Sequence, residues 1–231
     1  MKALSIILFV STGAAVVAGD KEPEGKQATP ATFDAAAVSG IVDAATVVPS
    51  LLVDLKYATT DNFLKRNVYG DLKKCYLQKD AAGMLKKAAD LLKTRDPALR
   101  LLAYDCARPR RVQVQMWEVV KGTPQQGYVA NPGTKTGSIH NYGCAVDLTL
   151  ATADGKALPM GTPFDHFGPE AGISQEAKLL EDGKISAQDL ANRLLLREVM
   201  VAAGFLPLAH EWWHFNCATS AETRKRYKMI E

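Results

Sequence analysis

The spacing of apolar positions changes several times along this chain, and each change predicts an element. After Asp80, the run A-A-G-M-L-K-K-A-A-D-L-L-K places Met84, Leu85, Ala88, Leu91 and Leu92 on one side of a helix. That spacing predicts an amphipathic helix packed on a sheet, with Asp80 as its candidate N-cap. The next run, A-L-R-L-L-A-Y-D-C at 98–106, reads as a strand leading into Arg108. Pro109 then opens a second helix that runs through Val120 and stops at Gly122. Residues 143–150, G-C-A-V-D-L-T-L, alternate and are rich in β-formers, so Asp147 is expected on a central strand and His140 in the turn before it. A third helix carries Ser186 as cap and Asp189 at capping-box spacing, has a stripe of Leu190, Leu194, Leu195, Val199 and Met200, and ends at Gly204. Together these elements predict an α+β fold, an antiparallel sheet with helices packed against it.

The chain's first residues depart from this pattern. M-K-A-L-S-I-I-L-F-V-S-T-G-A-A-V-V-A has one positive charge, an apolar run and then small residues, the signature of a secretory signal peptide over 1–18. The run is too short for a membrane span, so nothing predicts stable membrane insertion after cleavage. Residues 19–37 contain two prolines and few large apolar groups and read as a flexible tether, which leaves one catalytic domain over 38–231. The 28 basic and 25 acidic residues are scattered, giving a formal charge of +3 with no basic stripe, which argues against nucleic acid as a partner. Export to a periplasmic or secreted location makes Cys75, Cys106, Cys144 and Cys217 candidates for disulfides. Cys106 lies near Arg108 and Cys144 lies between His140 and Asp147, so the expected bridges are Cys106–Cys144 and Cys75–Cys217.

Two short segments carry the chemistry, S-I-H-N-Y-G-C-A-V-D at 138–147 and E-W-W-H-F at 211–215. They supply three N or O ligands for one Zn²⁺, His140, Asp147 and His214, with Glu211 left free as the base for a water. Gly143 lets the chain turn between the first two ligands. Glu211 and His214 stand three apart, which suits a helical face or a tight turn, whereas a regular strand would separate them. His166 and His210 fall outside the pattern. Of the adjacent Trp212 and Trp213, one is expected against the pocket and the other in the core.

These segments, with Y-A-T-T-D-N-F (57–63), Y-D-C-A-R-P (104–109) and M-G-T-P-F-D (160–165), resemble in order and spacing the VanX-type D-alanyl-D-alanine dipeptidases, members of a zinc-dependent peptidoglycan metallopeptidase superfamily. The resemblance runs from about residue 45 to 217. It implies His140, Asp147 and His214 as zinc ligands, Glu211 as catalytic base and Arg108 as stabiliser of charge on the scissile carbonyl oxygen. By the same resemblance Tyr57, Ser138 and Asp165 hold the ends of the dipeptide; by charge, Asp165 is the candidate partner for the ammonium and Ser138, with backbone groups, for the carboxylate, the alternatives being turn positions for both. Asp105 either buttresses Arg108 or caps its own loop. The stretch between Arg108 and Ser138 is shorter than in resistance-associated members, and it is a loop that could border the pocket. The implied function is zinc-dependent hydrolysis of D-Ala-D-Ala in the periplasm. The alternatives are a carboxypeptidase or endopeptidase acting on the peptidoglycan stem peptide, and a non-catalytic, zinc-stabilised binding domain.

Overall fold

The computed structural model describes residues 38–134 and 136–231; the expected signal peptide and tether lie outside the described residues. In chain order the elements are β1 (Ile41–Asp43), α1 (Ala44–Val47), β2 (Leu52–Val53), β3 (Tyr76–Gln78), α2 (Lys79–Arg95), β4 (Leu99–Asp105) and α3 (Arg110–Val120). They continue with β5 (Ala145–Thr152), α4 (Glu176–Glu181), α5 (Ala187–Ala203), β6 (Leu206–Leu208), β7 (Glu211–Asn216) and α6 (Ser220–Arg226). The α+β expectation holds. Strands run in the order β2-β4-β5-β7-β6, every pair antiparallel except the edge pair β2–β4, and β1 pairs with β3 in a separate antiparallel ribbon.

The apolar runs become the middle of this sheet because both of its faces are covered. Leu101, Ala103, Val146, Leu148, Leu150 and Phe215 join one core with Leu85 and Leu92 of α2 and Leu196 and Met200 of α5. Burying a leucine of this kind contributes about 1.5–3 kcal/mol. Leu102, Tyr104 and Ala151 form a smaller cluster with Leu52 and Phe164 on the opposite face. Opposed residues share a face, so the register Asp147↔His214 sets the two groups side by side. Across β4 the register Ala103↔Leu148 shifts to Asp105↔Asp147, skipping Tyr104. Such a bulge re-aims a side chain, and here it brings Asp105 into line with Asp147 and His214.

Several local expectations need correction. Asp80 is not the cap of α2; Gln78 holds that position, and Asp80 sits in the first turn, where its charge faces the positive end of the helix dipole. The capping box of Ser186 and Asp189 forms as expected, but Leu194 is exposed. The reason is that α5 turns Asn192 and Arg193 inward, where they donate to the carbonyls of Pro159 and Met160 at 2.7 and 2.6 Å. Both expected disulfide pairings are wrong. The bridges are Cys75–Cys106 and Cys144–Cys217, with Cα separations of 5.3 and 5.1 Å. Cys144 precedes β5 and Cys217 follows β7, and strand pairing holds these ends together, while Cys106 leaves the sheet toward β3. None of the described helices is long and apolar enough to cross a membrane.

Candidate active site

His140 stands in a 3-10 turn, Ile139–Tyr142, opened by a capping box in which Ser138 Oγ accepts from His140 N at 3.3 Å and Asn141 Oδ1 accepts from Ser138 N at 2.8 Å. The turn closes on Gly143 at φ +67°, where an added Cβ would approach Ile41 Cδ1 to 2.5 Å. Both the left-handed backbone and the close approach require glycine. The chain then enters β5, and Asp147 meets His214 across the ladder. His140 Nε2 lies 3.2 Å from His214 Nδ1, and Asp147 Oδ1 lies 3.3 Å from the first and 2.9 Å from the second.

The outer nitrogens fix which atoms face this centre. Cys106 O, which can only accept, takes the Nδ1 proton of His140 at 2.7 Å, and Asn216 Oδ1 takes the Nε2 proton of His214 at 2.9 Å. Lone pairs of His140 Nε2 and His214 Nδ1 therefore face Asp147, so the cluster demands positive charge at its middle. Where protons instead of a metal ion occupy the inner nitrogens, burial opposes the charge of Asp147, but the charges of His140 and His214 outweigh it and hold the carboxyl well below its usual range, the same demand for positive charge beside it. The three residues are buried and their ligating atoms lie within 4.8 Å of one another, a set that can hold a metal ion. Imidazole with carboxylate, each imidazole anchored by an outer acceptor, suits a divalent transition metal.

Glu211 and His214 lie on a strand, contrary to the expectation of a helix or tight turn. They still meet, with Glu211 Oε2 3.8 Å from His214 Nδ1. Leu208 pairs with Glu211, but its neighbour Pro207 pairs with Phe215, so residues 212–214 bulge out of the β6–β7 ladder and return Glu211 to the side of His214, which stays in register with Asp147 of β5. Burial, with the negative charges of Asp147 and Asp165 nearby, raises the Glu211 carboxyl to about 7 despite the opposing pull of His214. Trp213 lines the pocket, and Trp212 packs behind it with its indole N–H donating to Thr162 Oγ1 at 2.8 Å.

Arg108 lies in the same pocket, just past the end of β4. Its Nε donates to Asp105 Oδ2 at 2.8 Å, Nη2 to the same oxygen at 2.5 Å, and Nη1 to Gln113 Oε1 at 2.8 Å. A guanidinium has five N–H donors, so two are left over for the pocket by these bonds. Although burial disfavours its charge, Asp105 keeps Arg108 firmly protonated. Asp105 thus buttresses Arg108, and is itself held by Tyr69, whose hydroxyl donates to it at 2.6 Å. Tyr57 Oη donates to both oxygens of Asp165, at 3.0 and 2.9 Å. Asp165 has φ +60°, and burial pushes its carboxyl up to about 7. Ser138, besides capping its turn, lines the pocket.

The pocket is a cavity of about 550 Å³ that brings together Tyr57, Arg108, Ser138, His140, Asp147, Asp165, Glu211 and His214. His166 is not among its lining residues; His210 is, from the turn between β6 and β7. Gln113, Met116 and residues 127–130 also line it, so the stretch after Arg108 does border the pocket. Sequence reasoning missed Tyr69, Gln113 and Asn216. Only Asn216 had a local signal, standing two residues beyond His214 where a strand repeats its face.

This geometry agrees with what the chain is similar to. The Peptidase_M15 family model, described as D-Ala-D-Ala dipeptidase, matches residues 37–230. A D-alanyl-D-alanine dipeptidase of Escherichia coli (strain K12) is 33% identical over 181 residues, covering 78% of this chain and 86% of that one. One from Enterococcus faecium is 31% identical over 193 residues, covering 73% and 87%, and one from Streptomyces coelicolor is 30% identical over 189 residues, covering 74% and 87%. A match over nearly every described residue, on a fold that gathers the motif residues into one pocket, makes this chain a peptidase belonging to the D-Ala-D-Ala dipeptidase family.

Proposed function

We propose that the protein is a zinc-dependent dipeptidase that hydrolyses D-Ala-D-Ala in the periplasm, with one Zn²⁺ held by His140, Asp147 and His214. The observation that carries this reading is the convergence of three buried ligand atoms with a carboxyl poised near neutrality and a fixed cation in one pocket. When bound, the metal polarises the scissile carbonyl and acidifies a water. Glu211, beside His214, is the group placed to take the proton from such a water and deliver it to the leaving amine. Arg108 directs its remaining N–H groups at the oxygen on which negative charge develops, and Asp105 and Gln113 keep it from turning away. Asp165, oriented by Tyr57, pairs with the ammonium of the first residue, and Ser138 receives the carboxylate of the second. Two disulfides among the described residues support an oxidising, exported location.

A second reading, cleavage of the peptidoglycan stem peptide, is favoured by one observation. Besides the catalytic groups, Phe63, Tyr128 and Phe167 line the cavity, whose volume of about 550 Å³ is more room than two methyl side chains need. The test is to incubate metal-loaded protein with D-Ala-D-Ala, L-Ala-L-Ala and an intact stem pentapeptide and identify the products. Free D-Ala from the first substrate alone supports the dipeptidase, and cleavage of the pentapeptide alone replaces it with the second reading. Chelation should abolish either activity and about one Zn²⁺ per chain should restore it. Turnover that survives complete metal removal would sink the metal mechanism.

A further inference from the structure

We infer that the Cys75–Cys106 disulfide is a positioning element for His140, fixing the carbonyl that orients the imidazole and so strengthening metal binding beyond its contribution to fold stability. The inference rests on His140 being a metal ligand. His140 Nδ1 donates to Cys106 O at 2.7 Å, and Cys106 stands one residue past the end of β4, where the sheet ladder no longer holds the chain. Two things hold it: Arg108, whose N donates to His140 O at 3.0 Å and whose O accepts from Asn141 Nδ2 at 2.8 Å, and β3. Besides the Cys75–Cys106 bridge, Ala107 N donates to Tyr76 O at 2.9 Å. The turn that carries His140 is tied to that strand as well. Gln78 N donates to Gly143 O at 2.8 Å, and Gln78 Nε2 donates to Tyr142 O at 3.0 Å.

The ring of His140 and the carbonyl that aims it are therefore both referenced to one short strand, in addition to the Arg108 hydrogen bonds that join the two segments directly. On the carbonyl's side the covalent member of that link is the disulfide. β3 itself belongs to the two-stranded ribbon with β1 and not to the central sheet. Outer groups that orient a ligand typically change metal affinity 10- to 100-fold when lost.

The other disulfide provides the contrast. Cys144 and Cys217 flank β5 and β7, which are already joined by Cys217 N donating to Cys144 O at 2.7 Å and by the pairing of Ala145 with Asn216. Cutting this bridge leaves the hydrogen-bonded ladder to keep Asp147 opposite His214. It spans 73 residues against 31 for Cys75–Cys106, so by chain entropy it contributes more to the stability of the fold. Metal affinity and thermal stability should thus rank the two bridges in opposite order.

The experiment compares the wild-type protein with the pairs Cys75→Ala/Cys106→Ala and Cys144→Ala/Cys217→Ala. Each is stripped of metal, checked for fold by circular dichroism, and titrated with Zn²⁺ against a competing chelator, with Tm measured separately. The expected result is Zn²⁺ binding weakened about 10- to 100-fold in the first pair and little changed in the second, with the larger fall in Tm in the second. Equal losses of affinity in both pairs, or unchanged affinity in the first, would overturn the inference while leaving the metal centre intact. A wild-type protein that binds no Zn²⁺ would instead remove the proposed function along with it. If the first pair does not fold, the Cys144→Ala/Cys217→Ala variant, which keeps the Cys75–Cys106 bridge alone, is reduced in the native state, alkylated, desalted and titrated in the same way, with its unreduced form as reference. Unfolding there too would count against the inference, because the bridge would then be holding the fold and not the histidine.

Discussion

The two faces of the central sheet are made by the same strands but are ordered differently. On the helix-backed face, Leu101, Ala103, Leu148 and Leu150 follow regular alternation in register, and α2 and α5 cover them. On the other face the ladder breaks twice, at Ala103/Asp105 and at Pro207/Leu208, and both breaks lie beside charged groups of the pocket. Apolar packing needs complementary volume, which a regular strand supplies. A catalytic constellation needs particular atoms within hydrogen-bond reach of each other, and strict alternation cannot place Asp105 opposite Asp147 or return Glu211 to His214. The bulges meet that geometric demand, and the regular face carries the stability that tolerates them.

If this division is correct, substitutions on the two faces should separate activity from stability. The largest effect is expected at Glu211. Glu211→Ala should keep its metal and its fold while kcat falls by about 10²- to 10⁴-fold, the usual range for a positioned proton-transfer group. Steady-state kinetics with metal analysis check this, and near-normal turnover would move the base elsewhere. Leu148→Ala, on the apolar face, should do the converse. Leu148 is fully buried, so its truncation should cost about 2–5 kcal/mol of stability, read from denaturant unfolding, with kcat and metal content unchanged in the folded protein. A large loss of kcat there would blur the distinction between the faces.

Arg108→Ala tests the contact between the faces' two kinds of order. It should lower kcat and kcat/KM by similar factors, about 10²- to 10³-fold, as for loss of an oxyanion donor. It should also destabilise the protein, because Asp105 would be left as a buried, unpaired charge. Arg108→Lys should recover part of both. A raised KM with intact kcat would reassign Arg108 to substrate binding. The smallest effect is a pH dependence. Asp165 must be ionised to pair with an ammonium, and its carboxyl titrates at about 7. KM for the dipeptide should therefore be low above pH 7 and rise as the pH falls through that value, and Asp165→Asn should flatten the profile at a high KM. A wild-type KM that is flat between pH 6 and 8 would exclude this role.

How much of this was readable beforehand depends on the distance over which each feature is decided. The bounds of α5 follow from the Ser186–Asp189 box and Gly204, the turn at Gly143 from its left-handed backbone, and β5 from its own composition, all within a few residues. The candidate ligands, His140, Asp147 and His214, were likewise visible as two short motifs. Local signals could not give what lies across the ladder. Tyr69 reaches Asp105 over 36 residues, Asp147 reaches His214 over 67, and His140 reaches His214 over 74. Disulfide pairing failed for the same reason, since nearness to motif residues does not say which chain ends the strands bring together. The amino-acid sequence alone determined the elements and the chemistry available to them, because period, caps and side-chain type act locally. Tertiary structure decided register, bulges and bridges, because these depend on which segments pack against one another to bury the apolar face.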